Sequence, residues 1–457
     1  MGRTETNRRR AALTRIASMR RSEDARASRN AGSTRPTRRN RAATVLATVV
    51  ALLLFASQPA SAAGTTAVGP PIDFPPQGKT TVGFWAGEAV PGTDWSSPGT
   101  YWNRRDTHAY TPYLWKVLRE YQIPLYFNLR YRRDFGPVPP GEPHRHDALR
   151  IIRTANRLGV PVWGWVLIPF SDGYWAWEGA AAEQFAATKA LVRWARQKHL
   201  RLDGLALDPE PRVRTPTETA TAATIMGGGS DATLSTLFQQ AIDPAGQCAA
   251  WSGYASIVRW AGRHDVKITA APMPAALDDL VDGWLALQDV TGFVLPKAPW
   301  DELFFQAYRS VFAYHSGRDP GPGIVSSYLR SARREFGSVG QISLGSSGRG
   351  PYRRFSSLRH DVRLAATLGA ETLPIYSLER TLRAYGGPRS LIRLVQAAQH
   401  PFTGSAAARS TAPTSRADEL RSAIQYADRA AAANTPTITA DRGASLYPNR
   451  WPSGCGG

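Results

Sequence analysis

The sequence predicts an α/β chain that closes into an eight-stranded (β/α)8 barrel, and three features support that prediction. A short apolar run, a loop and an amphipathic stretch recur eight times from Thr80 onward. The apolar runs show little alternation, which is typical of parallel strands covered on both faces. Several amphipathic stretches stop just before a glycine, the usual residue after the end of a helix. Eight such units over about 320 residues fit a closed barrel better than an open sheet.

The elements follow in order after a leader and a linker. Residues 63–79 are rich in proline, glycine and threonine and predict a linker, so the barrel spans 80–402. The predicted strands are 81–86, 123–129, 160–168, 202–208, 266–272, 303–308, 339–344 and 371–378. The predicted helices are 110–121, 147–158, 178–199, 256–263, 326–336, 356–368 and 389–399. A long insertion, 215–253, is expected to form one wall or lid of a groove. Residues 403–457 form a C-terminal extension, loose apart from a helix near 416–432.

The leader, residues 1–62, has the order of a secretory signal peptide. An arginine-rich segment precedes fifteen uninterrupted apolar residues, 42–56, and an Ala-Ser-Ala site at 60–62. We therefore expect cleavage after Ala62 and a mature chain that is secreted or held at the cell surface. Because a membrane-spanning helix needs roughly 20 residues, stable membrane insertion is not expected, although an uncleaved anchor is the alternative. Cys248 and Cys455 could pair outside the cytoplasm, and the sequence leaves their pairing open.

Composition and charge narrow the function classes. The chain has 457 residues, 42% of them hydrophobic, which is enough for one large core. It has no GxGxxG or GxxxxGK[ST] loop and no H-E-x-x-H spacing, so neither a cofactor nor a metal is expected. Half of its net charge of +20 lies in residues 1–63, where thirteen arginines face three acids. The remaining basic residues are scattered, with no arginine-rich block interleaved with aromatic residues, which argues against nucleic-acid binding. Attraction to an anionic cell-wall polymer explains the positive charge equally well.

The most informative segment is DGLALDPE at 203–210. Because side chains alternate along a strand, Ala206, Asp208 and Glu210 share one face, and the two carboxylates point into the barrel mouth. Barrel enzymes carry their chemistry at this end of the strands. Repulsion between two acids about 6–7 Å apart at Cα raises the pKa of one of them, as a general acid requires. The alternative is a pair of hydrogen-bonded acids with a structural role at the rim.

Residues 203–210 resemble the DGxDxDxE strand of family 18 glycoside hydrolases, the chitinase-like (β/α)8 barrels. The resemblance implies that Glu210 protonates the glycosidic oxygen and that Asp208 orients a substrate N-acetyl group. Residues 305–308, FQAY, are similar to the family's Gln/Met-x-Tyr strand, which implies that Tyr308 contacts the N-acetyl group, with Gln306 on the same face. The chain departs from the family pattern at three positions: Ala206 replaces an interior acid, Arg309 follows the tyrosine, and Tyr376 stands in place of a tryptophan.

Aromatic and acidic residues near other strand ends complete the expected site. Tryptophans in the loop after the third strand suit a glycan groove, since aromatic faces stack on sugar rings. Acids that follow the first and eighth strands are candidates for a second carboxylate. The expected substrate-binding residues beside Gln306 are Trp85, Trp175, Trp177, Tyr376, Glu379 and Glu88.

The sequence thus predicts a secreted glycoside hydrolase that cleaves an extracellular or cell-wall polysaccharide through general acid catalysis by Glu210. Substrate N-acetyl assistance is one route open to it. The protein is expected to act as a monomer, without a cofactor and without nucleic acid. The alternative is a non-catalytic, lectin-like barrel that binds a glycan at the cell surface, a role compatible with the alanine at position 206.

Overall fold

The computed structural model describes residues 80–87, 109–132, 136–137, 145–168, 173, 175–211, 244–282, 288, 292–411 and 414–433. The predicted leader and linker, most of the predicted insertion, Glu88 and Cys455 lie outside the described residues.

Eight parallel strands of the described chain form a closed barrel, which confirms the predicted fold class. They are β1 (Thr81–Ala86), β2 (Leu125–Arg132), β3 (Val162–Leu167), β4 (Gly204–Leu207), β5 (Ile268–Ala270), β6 (Glu302–Gln306), β7 (Gly340–Gly345) and β8 (Thr372–Tyr376). Each strand pairs with its neighbour in sequence, and β1 also pairs with β8, where Trp85 lies opposite Tyr376. A two-residue strand, Gly136–Pro137, pairs antiparallel with the end of β2.

Helices alternate with the strands and continue beyond the barrel. They are α1 (Pro112–Glu120), α2 (Arg145–Leu158), α3 (Ala181–Gln197), α4 (Pro244–Gly262), α5 (Ala275–Asp282), α6 (Arg309–His315), α7 (Gly323–Phe336), α8 (Phe355–Thr367), α9 (Leu378–Ala384), α10 (Arg389–Gln399), α11 (Gly404–Thr411) and α12 (Ser415–Ala433). None of the helices in these described ranges is both long and apolar enough to cross a membrane.

Helix ends follow the predicted glycine stops. Gly159 and Gly337 follow α2 and α7 with φ of +71° and +60°, a conformation that side chains with a Cβ rarely adopt. A Cβ at either position would meet no atom within 4 Å, so backbone conformation alone explains the glycine. At the amino end of α1, the Thr111 hydroxyl accepts a hydrogen bond from the Leu114 amide and caps the helix.

The fourth helix begins inside the predicted insertion, so the last part of that prediction was wrong. Residues 244–253, predicted as loop, form the first half of α4, and Cys248 within it is disulfide-bonded. The segment holds glycines that lower helix propensity, which hid the helix in the sequence. A Cβ at Gly253 would lie 2.7 Å from the Cβ of Ala181, so the glycine allows α4 to pack closely on the start of α3.

Short helices were also missed, because seven or eight residues give little periodicity. These are α5, α6, α9 and α11. The first three begin just after the carboxyl ends of β5, β6 and β8, where they help to build the barrel mouth.

Large aromatic side chains fill the inside of the barrel, and small residues make room for them. A Cβ at Gly204 would lie 2.3 Å from the Trp163 ring, and a Cβ at Gly83 would lie 3.0 Å from the Tyr126 ring. Trp163 stacks on Tyr126 at 5.9 Å between ring centroids. The barrel is therefore a packed core whose interior reaches solvent only at its ends.

Candidate active site at the barrel mouth

Two carboxylic residues lie directly beyond the end of β4. Asp208 is buried, with 4% of its surface exposed, whereas Glu210 is partly exposed. Leu205 and Leu207, on the opposite face of the strand, are fully buried. The main-chain oxygen of Asp208 accepts a hydrogen bond of 2.9 Å from the Ala176 amide, which ties the end of β4 to the loop after β3.

The side-chain amide of Gln306 joins the two acids. Its Nε2 lies 3.0 Å from Oδ1 of Asp208 and 2.7 Å from Oε1 of Glu210. The same nitrogen lies 2.8 Å from the main-chain oxygen of Ala271, after β5. A single neutral donor from the end of β6 therefore fixes both carboxyl groups, and the alternation predicted for β4 holds.

Both acids of this carboxyl pair, Asp208 and Glu210, hold their protons more tightly than ordinary carboxyls. Burial, and then the charge of Glu210, raise the pKa of Asp208 well above its usual value. Burial raises the pKa of Glu210 from 4.5 to about 7, although hydrogen bonds from Gln306 and Asp208 act against it. Because one nitrogen of Gln306 lies within hydrogen-bond distance of both acids, the carboxyl groups are close enough for the charge of Glu210 to act on Asp208. Near neutral pH the carboxyl pair therefore holds a proton that it can give up.

Two stacked tyrosines lie close to the carboxyl pair. Tyr308 follows β6, is 8% exposed and stacks on Tyr376 with 5.8 Å between ring centroids. The Tyr308 hydroxyl lies 3.4 Å from the Ser343 hydroxyl. Ser343 donates its single hydrogen to the main-chain oxygen of Pro374 at 3.0 Å and accepts a hydrogen bond of 3.0 Å from the Trp85 indole nitrogen. The predicted Gln306 and Tyr308 thus come from one strand end, and Tyr376 joins them from β8.

The predicted tryptophans occupy different depths. Trp85 is only 1% exposed and packs edge-on against Trp165 at 5.2 Å, so it forms part of the interior below the mouth instead of its surface. Trp175 is 8% exposed and stacks on Trp165 at 6.4 Å. Trp177 is partly exposed, and its main-chain oxygen accepts a hydrogen bond of 2.8 Å from the Tyr254 hydroxyl.

Hydrogen bonds from two other residues of the mouth hold the Glu379 side chain in position. Its Oε1 accepts hydrogen bonds from the Gly87 amide at 2.8 Å and from the Tyr110 hydroxyl at 3.1 Å. The side chain is 3% exposed and lies in the first turn of α9. These contacts connect the ends of β8 and β1, the two strands that close the barrel.

Sequence reasoning missed two residues that face the site, Trp165 and Asn128. Trp165 lies opposite Ala206 and opposite Asn128 in the strand register, and its indole lowers the pKa of Asp208. Asn128 is 5% exposed, and its Oδ1 has no hydrogen-bond partner among the described residues. A buried acceptor without a donor costs about 1–3 kcal/mol, so a ligand hydroxyl or amide would gain by meeting it. The available signal was a lone polar residue inside the apolar run 123–129.

The departures from the family pattern have local explanations. Ala206 lies opposite the large Trp165, and the acid whose charge raises the pKa of Asp208 is Glu210, not a residue at position 206. Arg309 is turned to Asp319 and Asp361, with nitrogen–oxygen distances of 2.6 and 2.9 Å. Within the ranges that the structure describes, no cluster of three or more histidine, cysteine or acidic side chains could hold a metal ion.

Comparison with known proteins gives similarity in structure but not in sequence. No family model matches the chain, and no curated protein is similar to it in sequence. The structure is similar to the catalytic domain of a family GH18 chitinase from the fern Peteris ryukyuensis, at 12% identity and a TM-score of 0.39, over 70% of this chain and 99% of that one. It is also similar to a tri-modular GH5 endo-beta-1,4-glucanase from Bacillus licheniformis, at 13% identity and a TM-score of 0.41, over 71% and 60%.

A mandelate oxidase is similar as well, at 13% identity and a TM-score of 0.30, over 72% of each chain. The solved structures that this chain is similar to thus include glycoside hydrolases, among them the family that residues 203–210 resemble. The likeness is one of the barrel, a fold that hosts many unrelated reactions.

Proposed function

We propose that this protein is a glycoside hydrolase in which Glu210 is the general acid. The observation that supports this most is the carboxyl pair of Asp208 and Glu210 with Gln306 between its members. A pKa of about 7 for Glu210 matches the requirement for a proton donor that works near neutral pH. Glu210 is the more exposed member of the pair, so a glycosidic oxygen can reach it first.

Asp208 supports Glu210 and does not act as the nucleophile. Both carboxyl groups lie beyond one strand end and meet the same nitrogen of Gln306, whereas the carboxylates of a retaining pair lie on either side of a sugar carbon. The attacking group in this proposal then comes from elsewhere. A substrate N-acetyl carbonyl oriented by Asp208 and Tyr308 is the route that the family resemblance implies; Glu379 and Glu88 are the protein candidates.

The substrate that we propose is an extracellular or cell-wall polysaccharide. The support for its location is the sequence of the leader, residues 1–62, which has the order of a secretory signal. N-terminal sequencing of protein recovered from the culture medium would test the expected cleavage after Ala62.

Reducing-sugar release by the full chain tests the activity. The panel contains chitin oligomers, peptidoglycan and uncharged β-glucans, and Glu210→Gln is compared with the parent. The matched control is Glu120→Gln, an exposed glutamate at the end of α1 that pairs with Lys116 at 3.7 Å. We expect release by the parent and the control and a loss of at least about 100-fold in Glu210→Gln. Equal release by all three proteins would show that Glu210 is not the acid.

One observation favours a second function. Ala206 leaves the inside of β4 without the second acid of the DGxDxDxE pattern. A barrel that binds glycans without cleaving them can lack that acid. If neither the parent nor Glu210→Gln releases sugar while both bind a glycan of the panel, the binding function replaces the enzymatic one.

A further inference from the structure

The surface around the ends of β7 and β8 has an unusual balance of charge. Residues 349–393 hold nine arginines and three acids. Two of the acids, Asp361 and Glu379, are buried. The third, Glu371, precedes the amino end of β8 and pairs with Arg333 at 3.1 Å, away from the mouth. The charge that this segment presents to solvent at the mouth is therefore positive.

Five exposed arginines of this segment form a surface that we call the arginine flank. They are Arg353, Arg354, Arg359, Arg389 and Arg393. Within the part of the chain that the structure describes, none of the five forms an ion pair.

Phe355, the first residue of α8, brings the arginine flank together. Two of the arginines immediately precede it, and Arg359 lies one turn further along the same helix face. The guanidinium of Arg393 lies 4.4 Å from the centre of the Phe355 ring. Arg389 is one turn before Arg393 on α10, so the five charges come from one continuous surface.

The arginine flank is joined to the carboxyl site through α9. Phe355 contacts the Tyr385 ring at 5.0 Å, just after α9. The seven residues of α9 span about 10 Å and lead back to the end of β8. There Tyr376 stacks on Tyr308, and the Arg380 guanidinium lies 5.6 Å from the centre of its ring.

We propose that the arginine flank binds a polyanionic glycan, a polysaccharide whose units carry carboxylate or phosphodiester groups. Exposed guanidinium groups pair with both kinds of anion through two parallel hydrogen bonds. Continuity with Tyr376 and Tyr308 favours a glycan whose chain also enters the mouth. Nucleic acid is disfavoured because Phe355 is covered by Tyr385 and Arg393 and offers no open face for a base. The choice of a glycan depends on the proposed function, whereas the attraction for a polyanion depends on the arginines alone.

Binding measured in the Glu210→Gln background tests the inference without turnover. The probes are polygalacturonate, a phosphomannan whose sugars are joined through phosphodiesters, neutral dextran and an oligothymidylate, each titrated at about 50 and about 300 mM salt. Arg353→Gln, Arg354→Gln and Arg393→Gln are combined in one flank variant. The control combines Arg153→Gln, Arg157→Gln and Arg193→Gln, three exposed arginines of α2 and α3 that remove the same charge elsewhere. Unfolding curves of all variants verify that they are folded.

We expect one or both anionic glycans to bind more tightly than dextran, with affinity falling at high salt. The flank variant, which lacks three exposed guanidinium groups, should lose roughly ten-fold in affinity, while the control stays near the parent. The glycan that responds identifies the anion as carboxylate or phosphodiester. Equal losses in the flank variant and the control, equal binding of dextran, or tighter binding of oligothymidylate would each overturn the proposal. These outcomes are independent of whether Glu210 cleaves a glycan.

Discussion

Carboxyl groups are buried in two chemically different ways at the mouth and on the outside of this barrel. At the mouth, Asp208 and Glu210 share a neutral amide donor from Gln306. On the outside, Asp278 of α5 lies 2.7 Å from the Arg421 guanidinium of α12 and accepts the Tyr328 hydroxyl at 2.7 Å. A buried charge costs several kcal/mol unless a partner compensates it. The carboxyl pair at the mouth, which has a neutral partner, keeps a proton. Asp278, which has a cationic partner, links α5 to α12.

The Arg309 network is a second example of the outside arrangement, and it lies close to the mouth in sequence. Burial would raise the pKa of Asp319, but the hydrogen bonds and charge of Arg309 lower it overall. Burial likewise opposes the charge on Arg309, yet Asp319 and Asp361 raise its pKa. Arg309 is only three positions after Gln306, but its guanidinium is held by these acids. Among the residues that the structure describes, no cation pairs with Asp208 or Glu210.

The largest effect that we predict comes from removing the cation on the outside. Arg421→Met leaves Asp278 fully buried without its charged partner, and we expect the free energy of unfolding to fall by about 3–5 kcal/mol. Denaturant unfolding measures it. Arg416→Met, an exposed arginine on the same helix, is the control and should change stability by less than about 0.5 kcal/mol.

A double variant sharpens this result. In Arg421→Met with Asp278→Leu both charges are gone, so part of the lost stability should return. If the double variant is less stable than Arg421→Met alone, the loss comes from packing around Tyr328 and not from an uncompensated charge.

The two arrangements differ in how far the sequence predicts them. The strands follow from short apolar runs, the closed barrel from their eight repeats, and the shared face of Asp208 and Glu210 from alternation along β4; the structure agrees with each. The link from Gln306 to these acids spans 96 residues or more, and the link from Arg421 to Asp278 spans 143. No local period encodes such contacts. The family resemblance placed Gln306 in the same site as these acids but not its hydrogen bonds to them, and the pair of Arg421 and Asp278 was not predicted.

The sequence also did not predict how deeply the tryptophan side chains are buried. Trp85 and Trp175 were expected to line a groove, because tryptophans near strand ends often do. How deep each ring lies depends on the other strands: Trp165 packs between the two and covers Trp85. Alternation gives the face on which a side chain lies but not its distance from solvent.

A cation placed beside Asp208 and Glu210 would give the mouth the arrangement that Asp278 and Arg421 have on the outside of the barrel. In Gln306→Lys a cation replaces the neutral amide, which lowers the pKa of both Asp208 and Glu210. At pH 7 the pair is then ionised and lacks the proton for catalysis, so we expect hydrolysis to fall at least about 100-fold. The alkaline limb of kcat against pH should move to lower pH. Gln306→Met, which has neither donor nor charge, should move that limb to higher pH instead, and movement of both variants in the same direction would contradict the explanation.

The smallest predicted effect is a pH dependence of stability with opposite signs in the two regions. Because the pKa of Glu210 is raised from 4.5 to about 7, the folded state binds a proton that the unfolded state has released between these values. The stability due to this proton is complete below pH 4.5 and is lost as the pH rises toward 7, about 2 kcal/mol after allowance for the partial exposure of Glu210. Asp319, with its lowered pKa, stabilises the fold above its usual pKa and loses that effect on acidification.

Melting temperatures of the parent and Glu210→Gln between about pH 2 and pH 8 separate the two contributions. Both proteins keep the Arg309 network, so the acid-induced loss should be common to them. Both also keep the buried Asp208, so the parent should lose more stability than Glu210→Gln as the pH rises toward 7, and the difference between the curves should then level off. Glu120→Gln should follow the parent throughout. If the curves of the parent and Glu210→Gln run parallel, Glu210 ionises as an ordinary exposed carboxyl, and the contrast between the mouth and the outside of the barrel fails at the residue on which the proposed chemistry depends.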